Sequence, residues 1–184
     1  TAGTYSFFVE KLATAHQVAF SAIPDSPMAP APGSFDIKLG TTSTIKVDLA
    51  GADSDGNATL TAREIAAAIN ADPDNAGKVS ASIVTINGVA ELVLSAQATG
   101  AASAITVDAA LVANPALKAS LAAAPREMSK AADALVWLGA QGTGVPIAQA
   151  SNTFTNVDGV SMTFTRAHAA GEAPVTLTVA ADNA

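Results

Sequence analysis

Val79-Ser-Ala-Ser-Ile83-Val-Thr-Ile86-Asn87-Gly88-Val89-Ala-Glu-Leu92-Val-Leu94 is the stretch from which the fold reads. Two apolar, β-branched runs flank Asn87-Gly88. Both turn residues tolerate positive φ, so the dipeptide closes a tight hairpin whose twist suits the strands it joins. Outward from it the same pattern recurs. Asp158-Gly159 separates Asn152–Val157 from Val160–Ala167, and the Gly-rich turn Gly139–Gly144 separates Ala134–Leu138 from Val145–Ala150. Gly40–Ser43 joins Phe35, Ile37 and Leu39, alternating with Asp36 and Lys38, to Ile45, Val47 and Leu49, alternating with Lys46 and Asp48. Such alternation predicts strands with one buried and one wet face. Tyr5, Phe7 and Val9 alternate within Thr4–Leu12. Val175, Leu177 and Val179 alternate with Thr176 and Thr178, a pattern that ends at Asp182, and Ala104–Val107 adds a short strand.

Two segments carry helical signals. Leu60-Thr61-Ala62-Arg63-Glu64-Ile65 holds a capping box, with Thr61 as N-cap and Glu64 three residues on, and Leu60 and Ile65 occupy the staple positions. Ile65 and Ile69 lie one turn apart on the side to be buried, and Asp72-Pro73 ends the helix, placing it near 61–71. Asn114–Ala123 reads as a second short helix entered through Pro115. Between the first strand and the first hairpin, Pro24, Pro27, Pro30 and Pro32 precede Gly33. That density of fixed φ angles makes 24–33 a Pro-rich linker. The fold class is therefore mainly β, a β-rich α+β chain of two β-sheet modules with one or two short helices.

Composition narrows the function by exclusion. The 184 residues are 49% hydrophobic but only 4% aromatic, so the core is assembled from small pieces and contact surfaces should be flat. Nine Lys and Arg against sixteen Asp and Glu give a net charge of −7, with a pI near 4.5. That leaves no electrostatic footprint for nucleic acid or an anionic membrane. Mean hydropathy is +0.35, yet the most apolar stretch, Ala101–Ala124, is broken by Asp108, Asn114-Pro115 and Lys118 and does not span a bilayer. With no Cys there is no disulfide, thiolate nucleophile or thiolate metal site, and two His leave little for a multi-His site. The chain opens on Thr1 rather than Met and reads as a cut or mature fragment.

The motif closest to a metal site is Asp53-Ser-Asp55-Gly-Asn57-Ala58-Thr59-Leu60-Thr61-Ala-Arg-Glu64. Counted from Asp53 it places oxygen side chains at positions 1, 3, 5 and 9 and a Glu at 12, as an EF-hand loop does. Position 6 is Ala58 where such loops need Gly for positive φ, and the preceding segment alternates as a strand, not a helix. The competing reading is a polar loop whose Glu64 completes the capping box. His16 and His168 invite a catalytic role, with Ser161 seven residues before His168, but no nucleophile elbow surrounds any Ser. Both His read as surface or rim residues. Asp108, Asp133, Asp158 and Glu172 are scattered through turns, Gly139–Gly144 lacks the Lys and helix of a phosphate loop, and Trp137 reads as a core anchor. No catalytic, cofactor-binding or metal residue is assigned, and the chain is not expected to be an enzyme.

Gly3-Thr-Tyr5-Ser-Phe-Phe-Val9-Glu-Lys-Leu12-Ala13-Thr-Ala15-His16 resembles the opening strand of the bacterial flagellar filament cap proteins (hook-associated protein 2, FliD). The likeness continues in order through Thr59-Leu60 with Ile65 and Ala68-Ile69-Asn70, Ala81-Ser82-Ile83, Leu92-Val-Leu94-Ser95, and Thr99-Gly100. It closes with Ala132-Asp133-Ala134, Ser151-Asn152, Val157, Gly159-Val160, and Val175–Val179 with Asp182. The resemblance implies a pair of head domains from a longer protein. One would be discontinuous, from 1–23 and 127–184, and the other, 34–126, would be inserted into it. It further implies a structural subunit of the cap at the distal tip of the flagellum, outside the cell, that promotes flagellin assembly into the growing filament. Its partners would be flagellin and, in the full-length protein, further copies forming a ring, with no cofactor. The alternative is an extracellular β-rich adhesin or glycan-binding module, calcium-stabilised through Asp53–Glu64.

Overall fold

A computed structural model describes residues 2–180, so the end of the closing pattern at Asp182 lies outside the described residues. In chain order the elements begin with β1 (Gly3–Lys11), β2 (Ala15–Ser21), β3 (Ser26–Pro27), β4 (Ser34–Leu39), β5 (Ser43–Asp48) and β6 (Thr59–Leu60). Then come α1 (Ala62–Ala71), β7 (Val79–Ile86), β8 (Val89–Thr99), a 3-10 turn at Ala101–Ser103, β9 (Ile105–Asp108), α2 (Pro115–Ala122) and β10 (Arg126–Ser129). The chain closes with β11 (Ala134–Leu138), β12 (Val145–Gln149), β13 (Thr153–Val157), β14 (Val160–Thr163) and β15 (Val175–Val179).

These elements form two compact units. The first contains 2–14, 99–101 and 131–180. Its sheet runs β12-β11-β1-β15 with all neighbours antiparallel, and β13–β14 forms a separate hairpin. Alternation along β1 sends Phe7 and Val9 into a core with Val136, Phe154 and Val157, with Tyr5 packed against it. Phe164 stands at the centre of an aromatic group, 5.8 Å from Phe7 and 5.4 Å from Phe154, both in tilted or edge-on contact.

The second unit, Ala15–Ala98 with Ala102–Lys130, holds a four-stranded sheet β10-β2-β8-β7 and a three-stranded sheet β5-β4-β9. Phe35, Ile37, Ile45, Val47, Ile65, Ile69 and Leu92 share one core, each at most 1% exposed. The predicted hairpin forms with Val79 opposite Ala96 and Ile86 opposite Val89, and its turn residues Asn87 and Gly88 take φ of 51° and 80°. The capping box is formed at Thr61 and Glu64, and α2 is capped by the Asn114 side chain, which accepts from Ala116 and Leu117 N–H.

Several expectations shift. β2 and β10 carried no strand prediction, and they pair with each other through Glu127 opposite Val18. β14 stops at Thr163 rather than Ala167. The stretch 24–33 lies within the second unit and not between the units, so the boundaries at 23, 34 and 126–127 move to 14–15 and 130–131. The reason is burial and pairing. Val18 and Phe20 enter the second core, Ser26 pairs with Leu60, and Pro32 C=O accepts from Ala113 N–H. Trp137 pairs opposite Phe8, on the face away from Val136 and the core, and donates its Nε1–H to Glu10 at 2.6 Å.

Candidate functional site

Among the described residues, the acidic loop brings sequence-predicted groups together: ligand atoms of Asp53, Asp55 and Glu64 all lie within 4.8 Å of one another. The strand β5 leads into it, as the alternation predicted, and β6 and the α1 cap lead out. Ala58 adopts φ +62°, so the objection that Ala would resist this conformation does not hold. Its N–H donates to Asp53 Oδ2 at 2.8 Å, while Gly56 N–H donates to Oδ1 and Asn57 N–H to Asp55 Oδ1. Glu64 is buried. Its Oε1 accepts from Ser54 N–H and Oγ–H, and its Oε2 from Thr61 N–H and Oγ1–H. Donation from Thr61 N–H, then from Ser54 N–H, lowers the Glu64 carboxyl from 4.5 to about 2. These are oxygen donors of the kind a hard cation uses, but each carboxylate oxygen already accepts a hydrogen bond and closes the loop on itself.

The two His serve as acceptors for backbone N–H groups. His16 is buried, not on the surface. Its Nδ1 accepts from Ile105 N–H at 2.7 Å, which puts the ring proton on Nε2, 3.4 Å from Glu127 Oε2. His168 Nδ1 accepts from Val9 N–H at 3.0 Å while its own N–H donates to Val9 C=O, and the ring stacks on Phe8 at 4.8 Å. Ser161 is exposed on β14. Asp108 accepts from Ala110 N–H and Lys38 Nζ, which lower its carboxyl. Glu172 is lowered to about 2, first by Arg166 and then by Ala169 N–H. Gly139–Gly144 is a turn held by Gly144 N–H on Ala140 C=O. An open cleft of about 630 Å³ in the second unit is lined mainly by small side chains, among them Ala19, Ser21, Ala119 and Ala123, with the Glu91–Arg126 ion pair at its side.

A second polar constellation lies in the first unit, where the chain leaves and returns. Thr14 C=O accepts from both Gly100 and Ala132 N–H, and Thr14 N–H donates to Ala132 C=O. Asn152 clamps the preceding residue, with Oδ1 accepting from Ala13 N–H at 2.7 Å and Nδ2 donating to Ala13 C=O at 3.0 Å. Asp133 Oδ1 accepts from Ala101 N–H at 2.8 Å, and Thr99 Oγ1 donates to Ala150 C=O. Gly100 sits at φ +100°, and a Cβ there would lie 2.5 Å from the Ala150 Cβ. Residues scattered from 13 to 152 thus meet in one knot that fixes three passages of the chain. Of these residues, Gly100 and Asn152 were visible only as members of short similar segments, and Asp133 also as one of the carboxylates scattered through turns. A hydrogen bond across 139 residues leaves no local signal.

No family model matches the chain. It is 35% identical over 185 residues to the lateral flagellar hook-associated protein 2 of Vibrio parahaemolyticus, covering 98% of this chain and 41% of that protein. It is 36% identical over 199 residues to the B-type flagellar hook-associated protein 2 of Pseudomonas aeruginosa, covering 100% of this chain and 40% of that protein. Against the crystal structure of FliD from Pseudomonas aeruginosa the TM-score is 0.68 at 32% identity, with 100% of this chain and 82% of that one covered. The chain belongs to the flagellar hook-associated protein 2 (FliD) family. Its fold is shared with a two-domain fragment of the flagellar cap protein FliD from Escherichia coli, at TM-score 0.73 and 23% identity over 99% of this chain and 90% of that one. The chain spans about two fifths of the length of the curated FliD-family relatives it matches. The knot at Thr14, Gly100, Asp133 and Asn152 lies wholly within the first of the two units.

Proposed function

We propose that this chain is the head portion of a structural subunit of the flagellar filament cap, working outside the cell at the distal tip to promote assembly of flagellin. The observation that carries this reading is the 32% identity to a solved FliD over the whole chain, both units included. The chemistry is consistent with work by contact. The imidazoles accept backbone N–H groups, and the acidic loop is closed by its own donors. On this reading no bond is made or broken. Self-association into a ring and contact with flagellin belong to the full-length protein.

The test is genetic and morphological. Cells lacking the full-length protein should fail to extend filaments, scored by electron microscopy. The full-length protein should restore them, and a version lacking residues 3–179 should not. Filaments of normal length in the null strain would overturn the proposal.

A further inference from the structure

Five sheet edges among the described residues carry features that protect them against pairing with another chain. β12 carries Pro146, β10 carries Arg126 and Glu127, and β5 carries Lys46 and Asp48. β7 is capped from α1 and its following loop: Asn70 exchanges two 2.8 Å hydrogen bonds with Ala81, and Asn75 does the same with Val79. β9 gives its Ile105 N–H to His16. β15 has none of these devices. It is Val175-Thr176-Leu177-Thr178-Val179, without charge or Pro, at the end of its sheet, and Val175 is 49% exposed.

The backbone fixes which groups face that free edge. Gly139 N–H donates to Ser6 C=O, so the even-numbered residues of β1 bond toward β11. The odd-numbered ones bond toward β15, where Tyr5 pairs with Leu177 and Phe7 with Val175. His168 serves Val9 on that same side. In β15 the N–H and C=O groups of Thr176 and Thr178 therefore point outward, away from β1.

The sequence of this edge reads the same in both directions. We infer that β15 is a self-pairing edge, joining a second copy of this chain antiparallel about a two-fold axis at Leu177. In that register Thr176 faces Thr178 of the copy twice, and both residues carry outward-facing groups, so four backbone hydrogen bonds form. Leu177 meets its own counterpart, and Val175 meets Val179, extending the apolar face of the sheet, while the Thr pairs line the other face. Pro174, which has no N–H, marks where the ladder ends. A two-fold contact of this kind closes at two chains and is distinct from the head-to-tail contact a ring requires. It rests on the strand edge alone and holds whether or not the chain caps a filament. Five residues a side bury far less than the roughly 1,200 Å² of a stable interface, so the association is weak and concentration-dependent.

Sedimentation velocity of the chain over a wide concentration range tests this. Dimer should appear at high concentration, and Thr176→Pro should weaken it by about tenfold or more, because it removes two of the four intermolecular bonds. The β1–β15 ladder is spared, since the lost N–H points outward. The absence of Cys allows a register test. A mixture of Thr176→Cys and Thr178→Cys chains should cross-link under oxidation, because directly opposed residues bring their Cα atoms to about 5.5 Å. Either variant alone should not. A strictly monomeric chain, a dimer indifferent to Thr176→Pro, or cross-linking of Thr176→Cys with itself would each overturn the inference.

Discussion

Replacing Gly100 by Ala tests whether the knot in the first unit holds that unit together. The residue sits at φ +100°, where an L side chain costs about 1–2 kcal/mol. The new Cβ would also lie 2.5 Å from Ala150 Cβ and 2.8 Å from Ala150 Cα, contacts no rotamer change can relieve. Overpacking of that kind costs about 1–3 kcal/mol. Gly100→Ala should therefore destabilise by about 2–5 kcal/mol. Ala150→Gly removes the Cβ–Cβ clash but leaves the 2.8 Å approach to the residue-150 Cα and the φ penalty, so it should recover only part of the loss. A double-mutant cycle should give a coupling of about 1–3 kcal/mol, which isolates the Cβ–Cβ share of the clash. Urea denaturation followed by fluorescence is well suited to the measurement, because the single Trp, Trp137, lies in this unit and bonds to Glu10. A Gly100→Ala loss under about 1 kcal/mol, or a coupling near zero, would refute the reasoning.

Asn75 is 1% exposed and spends its carboxamide on Ile69 C=O, Val79 C=O and Val79 N–H, so Asn75→Ala should cost about 3 kcal/mol by urea denaturation. His16→Ala strands the Ile105 N–H and should cost about 1–3 kcal/mol in the same assay, whereas His16→Gln, which keeps an acceptor, should cost less. The acid limb of stability should follow Glu64 and Glu172, both held at about 2 against an ordinary 4.5. Because the unfolded chain takes up these protons more readily, their contribution is complete above about pH 4.5 and is lost as pH falls toward 2. Thermal melts of Glu64→Gln across that range should show a shallower acid dependence than the parent chain.

Local chemistry accounts for what could be read ahead of the structure. Asn87-Gly88, the Thr61–Glu64 box and the alternation from Phe35 to Leu49 each specify geometry within a few residues. The hairpins and α1 formed where they were expected, within a residue or two at most ends. β2 escaped notice because Ala15–Ser21 has no turn dipeptide beside it and buries Val18, Ala19 and Phe20 in succession, so it shows no alternation. Ala58 was misjudged for a related reason. Intrinsic φ preference is a modest penalty, and the hydrogen bond from Ala58 N–H to Asp53 overrides it. The Pro-rich stretch was denied a helix and read as a linker, and Pro density says nothing about Ser26 meeting Leu60.

By itself the sequence determined the β class, the tight turns, the helix caps, and an acidic, cysteine-free composition. All of these arise from interactions between near neighbours or from summed composition. Only the tertiary structure decided where one unit passes into the other, that His16 is buried as an acceptor, and that Thr14, Gly100, Asp133 and Asn152 share one knot. It also decided that the palindrome at Val175–Val179 stands on an open edge with the groups of Thr176 and Thr178 facing out. Those outcomes depend on pairings between residues far apart in the chain, and a partner more than a hundred residues away imposes no periodicity on the segment it will meet.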